Sequence, residues 1–265
     1  MRAAAHELRL ALIAWQFLTR VPLPGRWLRW MGYRDAWLHA SARHFPLVGA
    51  LVGLYAAAVY AVAALLWPPT VAAGLSMAAT LLITGAFHED GWADVCDGLG
   101  GAVSRERALE IMKDSRIGAY GAIGLVMMLG LKWATLAALP WPVAAGALLL
   151  AHSASRTAAV SLIRWMAYAG DLAQAKAKPL ARQVSMRGWG VALAWTAAAA
   201  GASSSWLPLP VVLAAVGAGG LVTLCWALWL QRRLGGYTGD CLGAAQQLCE
   251  LAVYLVCAAT WRWSA

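Results

Sequence analysis

Long apolar runs separated by short polar or proline-containing breaks dominate the chain. Runs long enough to cross a bilayer as helices lie at about 46–67, 71–87, 117–139, 141–163, 189–207, 209–230 and 243–261. The pattern predicts an all-α, polytopic integral membrane helix bundle of about seven spans. A shorter apolar run, 10–18, follows Arg2 and Arg9 and ends at Arg20 and the Pro22-Leu23-Pro24-Gly25 turn. It has no small-residue cleavage site, so it reads as a retained interfacial or re-entrant amino-terminal helix. No repeat or flexible linker divides the chain, and residues 1–265 are expected to form a single membrane-embedded domain.

Composition agrees with this pattern. Hydrophobic residues make up 62% and charged residues 12%, and the mean hydropathy of +0.62 lies outside the range of soluble domains. The breaks at 67–70, 139–142 and 201–210 carry no Lys or Arg. The basic residues gather instead in Arg2 to Arg43, Arg105 to Arg116, Arg164 to Arg187, and Arg232 with Arg233. The positive-inside rule puts these four regions in the cytoplasm. Arg262, on the expected outer tail, runs against the alternation. Many of the Trp residues, among them Trp67, Trp141, Trp189, Trp206 and Trp261, stand near span ends, as an aromatic belt requires. The net charge of +9 reflects topology and attraction to anionic lipid, and it favours an anionic substrate rather than nucleic acid. Five cysteines without a CxxC pair indicate neither a disulfide framework nor a zinc knuckle.

Against this background one segment stands out. Glu89, Asp90, Asp94 and Asp97 place four of the twelve acidic residues in nine positions, with no Lys or Arg between Arg43 and Arg105. On a helix Asp90, Asp94 and Asp97 share one face, whereas Glu89 points about 100° away from Asp90. Mutual repulsion on such a stripe is relieved by a divalent cation, and hard oxygen ligands select Mg²⁺ or Mn²⁺. The segment reads as an unbroken extension of the second span, ended by Gly98-Leu99-Gly100-Gly101. After it, Ser104 reads as the N-cap of a short helix reaching about Lys113. Lys113, Asp114 and Arg116 follow, and seven of the twelve acids lie between Glu89 and Asp114. Carboxylates for metal beside cations for phosphate are what phosphoryl transfer requires.

Two later segments could close the pocket. Arg156 lies with His152 inside the fourth span, where a charged side chain is costly and marks a functional candidate; its plainer role is a pair with a backbone carbonyl. Asp240 follows the Gly235-Gly236-Tyr237-Thr238-Gly239 turn. His88 is open to two readings, a polar helix-end residue or a base. The plainer reading of the acidic run itself is a solvated helix face. Lys132, in the third span, is expected to snorkel to the outer interface. The Arg164 to Arg187 loop reads as topology and lipid contact, with Lys176 and Lys178 able to guide an anion.

The segments His88-Glu89-Asp90-Gly91 with Asp94, Asp97 and Gly98, Met112-Lys113-Asp114-Ser115-Arg116-Ile117-Gly118, and Gly236-Tyr237-Thr238-Gly239-Asp240-Cys241-Leu242-Gly243-Ala244 resemble, in order, the signatures of the cobalamin synthase family, also called adenosylcobinamide-GDP ribazoletransferase. Phe17 to Pro22 and Phe45 to Gly49 resemble its amino-terminal pattern. Trp92 departs from that pattern in size, a difference expected to touch packing only. The resemblance implies transfer, at the bacterial inner membrane, of the adenosylcobinamide-phosphate moiety of adenosylcobinamide-GDP to α-ribazole or its 5′-phosphate, with release of GMP and dependence on Mg²⁺. It implies Glu89, Asp90, Asp94 and Asp97 as metal ligands. Lys113, Arg116, Arg156 and Thr238 are then candidates for substrate contact, and His88, Asp114 and Asp240 for proton transfer. It leaves room for an oligomer. Two alternatives stay open: a membrane enzyme like the CDP-alcohol phosphotransferases, whose full motif is not present, and a transporter of a metal or organic anion, for which no repeated halves are seen.

Overall fold

The computed structural model describes residues 2–32, 34–101, 104–170 and 183–264; Lys176 and Lys178 lie outside the described residues. Within them the chain is helical apart from one parallel bridge between Tyr168 and Tyr237. The amino-terminal part comprises α1 (Arg2–Leu18), α2 (Gly25–Met31) and α3 (Asp35–Ser41), the last running through a 3₁₀ turn into α4 (Phe45–Ala63). Then follow α5 (Pro69–Thr84), α6 (Phe87–Gly101), α7 (Arg105–Ile111), α8 (Ala119–Ala137), α9 (Trp141–Trp165), α10 (Met186–Ser203), α11 (Leu209–Leu234) and α12 (Gly239–Ser264).

Local chemistry sets these boundaries. Prolines sit in the first turns of α4, α5, α9 and α11, where a missing N–H costs nothing. Ser104 caps α7 by accepting from the Arg107 N–H at 3.2 Å, as the sequence predicts.

Each of the seven apolar runs becomes a helix, but the helices do not fix the count of seven spans. Among the described residues five helical stretches are long and apolar enough to cross a membrane: Asp35–Ala63, Ala119–Ala137, Trp141–Trp165, Leu209–Leu234 and Gly239–Trp261. A sixth arises if the bent pair α5 and α6 is taken as one broken span. Helix α10, with Arg187 near its start and many alanines and glycines, is not among them.

A second correction concerns continuity. Helix α5 does not run on into the acidic segment. Gly85 (φ 69°) and Ala86 (φ 55°) take left-handed conformations, and α6 leaves at 91° to α5.

Helix α9 lies at the centre, its apolar window wholly buried, with α4, α10 and α12 packed around it. Small residues allow the closest approach. A Cβ on Gly49 would overlap the His152 carbonyl, and one on Gly53 would stand 2.7 Å from the Leu148 carbonyl. Helix α12 lies between α9, α11 and α6. Outside this core, α1 is tied to the start of α4 by Glu7, which pairs with Arg43 at 3.2 Å and contacts His44 at 2.9 Å.

Candidate active site

Helix α6 brings the acidic stripe against α12 and α8. Glycines set both contacts. A Cβ on Gly91 would stand 2.9 Å from the Asp240 carbonyl oxygen, and one on Gly243 would stand 3.0 Å from that of His88. Two turns on, Gly118 and Gly121 admit Asp97, whose carboxylate would collide with a Cβ at either position. Trp92 packs on the same helix and donates from Nε1 to the Gly124 carbonyl at 2.9 Å.

The four acids of α6 are divided by this packing. Asp90 is exposed and Asp94 half-buried. Asp240, half-buried at the start of α12, completes the group: the charges of Asp240, Asp90 and Asp97 all bear on Asp94. Asp97 has a different occupation. Its Oδ2 accepts from the Gly118 N–H at 2.7 Å and its Oδ1 from the Gly121 N–H at 2.8 Å. It thereby caps α8, satisfying amides a helix start leaves open and placing negative charge at the positive end of the dipole.

Glu89 turns the other way, as its helical position requires. Its Oε1 accepts from Gln247 Nε2 at 2.8 Å, while its Oε2 is buried and unpartnered. Gln247 leads into a buried cluster in which Lys132 Nζ lies 2.5 Å from Glu250 Oε2 and donates to Gln247 Oε1 at 2.8 Å. His152 Nδ1 stands 2.7 Å from Glu250 Oε1 and Arg156 Nη1 stands 3.7 Å from it. Gln246 also donates to Glu250. A cavity of about 10 Å³ touches Glu89, Lys132, His152, Glu250 and Tyr254, room for about one water.

Lys132 therefore does not snorkel to an interface. It is 5% exposed and compensates Glu250 inside the bundle. Arg156, 1% exposed, donates from Nη1 to the His152 carbonyl at 2.9 Å, and its Nε and Nη2 are buried without partners. His88 is likewise buried, and the charges nearest to it are those of Arg156, Glu250, Lys132 and His152. Both belong to the buried cluster rather than to the exposed carboxylates.

We call the stretch between α6 and α12 that carries Asp90, Asp94 and Asp240 the groove; the remaining candidates are Thr238, Lys113, Asp114 and Arg116. Thr238 is buried and its Oγ1 faces Asp240 Oδ2 at 3.3 Å and the Cys241 N–H at 3.4 Å, a cap for α12. Lys113 and Arg116 are exposed in the α7–α8 connection. Arg116 forms a two-toothed pair with Asp114, Nη2 to Oδ2 at 2.6 Å and Nε to Oδ1 at 3.0 Å, which raises the guanidinium's pKa above its ordinary value.

Glu250, Gln246 and Gln247 were not legible as site residues from the acidic run, yet a signal existed. Asp240, Gly243, Gln247, Glu250 and Tyr254 recur at the 3–4 residue spacing of one helix face, and an acid within an apolar helix is a functional candidate by default.

The donor chemistry suits a hard divalent ion: the carboxylate oxygens of Asp90, Asp94 and Asp240, whose charges bear on one another. Among the described residues no three His, Cys, Asp or Glu side chains converge tightly enough to hold a metal by themselves. Mg²⁺ commonly takes one or two carboxylates and draws its other ligands from substrate phosphate and water, and Asp90 with Asp94 fits that pattern.

The profile of the family described as cobalamin-5-phosphate synthase matches residues 10–258. Proteins named adenosylcobinamide-GDP ribazoletransferase are similar over nearly the whole chain. That of Leptothrix cholodnii is 56% identical, covering 96% of this chain and 97% of its own. That of Polaromonas naphthalenivorans is 45% identical, covering 94% and 96%. That of Shewanella amazonensis is 44% identical, covering 98% and 99%. No solved structure matches.

Proposed function

The chain belongs to the cobalamin-5-phosphate synthase family, and from that premise we infer that it is an adenosylcobinamide-GDP ribazoletransferase. Its reaction joins adenosylcobinamide-GDP and α-ribazole, or the ribazole 5′-phosphate, and releases GMP. The observation that carries this reading is the colinear match over 96% of the chain to a relative of that name.

The reading extends to the groove. The ribazole hydroxyl attacks the phosphorus joined to the cobinamide arm; a new P–O bond forms as the bond to the bridging oxygen of the pyrophosphate breaks, and GMP departs with the electron pair. Asp90 and Asp94 would hold Mg²⁺. When bound, the ion neutralises charge on the pyrophosphate oxygens. Asp240, steadied by Thr238, is assigned to receive the hydroxyl proton, because its charge bears on Asp94 whereas His88 sits in the buried cluster. Asp97 contributes through α8: by fixing Gly118 and Gly121 it sets where the Lys113 to Arg116 connection meets the groove. Lys113 and Arg116 then receive the departing guanylyl phosphate, Arg116 exchanging Asp114 for it with a similar fork of donors. Glu89 and Arg156 support the groove from the buried side.

We place the molecule in the bacterial inner membrane as one embedded unit with its groove to the cytoplasm, because the connections rich in Lys and Arg lie on the groove's side of the sequence alternation. Purified full-length protein, given both substrates and Mg²⁺ in lipid vesicles, should release GMP in equal amount to the cobalamin product. Binding of both substrates without GMP release would refute the transferase reading and favour a carrier.

A further inference from the structure

On a different face of α12 from the groove, α10 and α11 separate. They are joined by a tight turn after Ser203, yet between them lies a crevice of about 360 Å³ whose floor is α9 and Cys249. Ala154 and Ala158 pave the floor, and Leu193, Gly219, Gly220 and Leu224 form the walls. Leu193 and Leu224 are exposed at its edge, so it opens sideways onto the apolar surface of the bundle. Its four hydroxyls, on Thr157, Ser161, Thr196 and Thr223, are bonded within the bundle, so the slot has little hold on water, and the neighbouring medium is lipid. From Ala154 to Trp165 the floor runs eleven residues along α9, about 16 Å at helical rise. That is roughly half the thickness of a bilayer's hydrocarbon core, or one leaflet.

The end at Trp165 is built differently. The Arg164 guanidinium lies 4.6 Å from the Trp165 ring centroid, and its Nε contacts Met186 Sδ at 3.3 Å. Trp189 meets Trp165 edge-on at 5.8 Å and donates from Nε1 to Ser161 Oγ at 3.0 Å. Paired tryptophans mark the headgroup level. A thioether is a weak acceptor, so the Met186 contact leaves the Arg164 charge for an anion.

We propose that this crevice is a binding site for one anionic phospholipid, an acyl chain lying between α10 and α11 and the phosphate on Arg164. The full chain, reconstituted in phosphatidylcholine vesicles carrying chain-spin-labelled lipid, should show an immobilised component favouring phosphatidylglycerol over phosphatidylcholine by about fivefold. Arg164→Gln should bring that ratio to about one while keeping the immobilised component. Gly220→Phe should remove the component for both lipids, since a Cβ there meets nothing within 4 Å and the ring can enter the crevice. If Gly220→Phe fails to insert, Gly220→Cys alkylated after reconstitution, in a Cys225→Ser background, fills the same space. Equal retention of the two lipids by the unaltered chain would overturn the proposal, as would an immobilised component that survives the filling of the crevice. Disulfide dimers through Gly220→Cys would do so as well, because a second copy would then be the occupant.

Discussion

Asp97 spends both oxygens on the amides that open α8, while Asp94 and Asp90, one and two turns earlier on the same helix face, have no such duty. Their substitutions should therefore part company. Asp97→Asn should lower the melting temperature by an amount matching about 0.5–2 kcal/mol of lost capping. Asp90→Asn and Asp94→Asn should leave melting nearly unchanged and cut GMP release at saturating Mg²⁺ at least about a hundredfold, the size of several kcal/mol of charge stabilisation. Near-normal turnover in both would remove Mg²⁺ from these residues. Lys132 and Glu250 make the opposite case, a pair with no solvent to replace a missing partner. Lys132→Met alone should destabilise by about 3–5 kcal/mol, whereas Lys132→Met combined with Glu250→Gln should cost less, because no unpaired charge is then left buried. Thermal melting of the purified variants decides this; equal losses would mean that the two side chains act independently.

Among the elements, α6 depends on two glycines for different reasons. Gly85 turns the chain out of α5 at φ 69°, and a Cβ there would stand 2.5 Å from Arg20 Nε. Gly91 lets α12 approach until Asp240 shares the groove. Gly85→Ala should destabilise by about 1 kcal/mol through the strained conformation, more if Arg20 cannot move. In Gly91→Val the added side chain meets the backbone of Asp240 rather than a flexible tip, so α12 must shift. GMP release should fall by far more than melting does, and retained turnover in a folded Gly91→Val protein would show that Asp240 need not stand where it does. The helical form of the acidic segment and its shared face were readable in sequence. The right-angle bend was not, since Gly-Ala-Phe within an apolar run carries no proline or charge to mark it.

Across the whole molecule, the charge alternation makes a prediction about sidedness. A cysteine engineered at Ser104 should react with an impermeant reagent from the cytoplasm, and those at Pro69 and Ser204 from outside. Ser104 labelled only from outside would invert the arrangement and put the groove out of reach of cytoplasmic nucleotide. The test also bears on the number of crossings, because Pro69 and Ser204 adjoin the two runs, α5 and α10, that do not qualify as spans on their own.

Local properties were decided by the sequence itself: a helical membrane bundle, an acidic stripe on one face of one helix, and cations following it within a short connection. These follow from hydropathy and from the 3.6-residue period, which depend only on near neighbours in the chain. Tertiary structure decided which carboxylate does what. Lys132 meets Glu250 across 118 positions of sequence, and Glu89 meets Gln247 across 158. Such pairs depend on the rotation and register of packed helices, which glycines such as Gly49, Gly91 and Gly243 set by letting backbones touch, and no local pattern encodes which helix will lie on the other side.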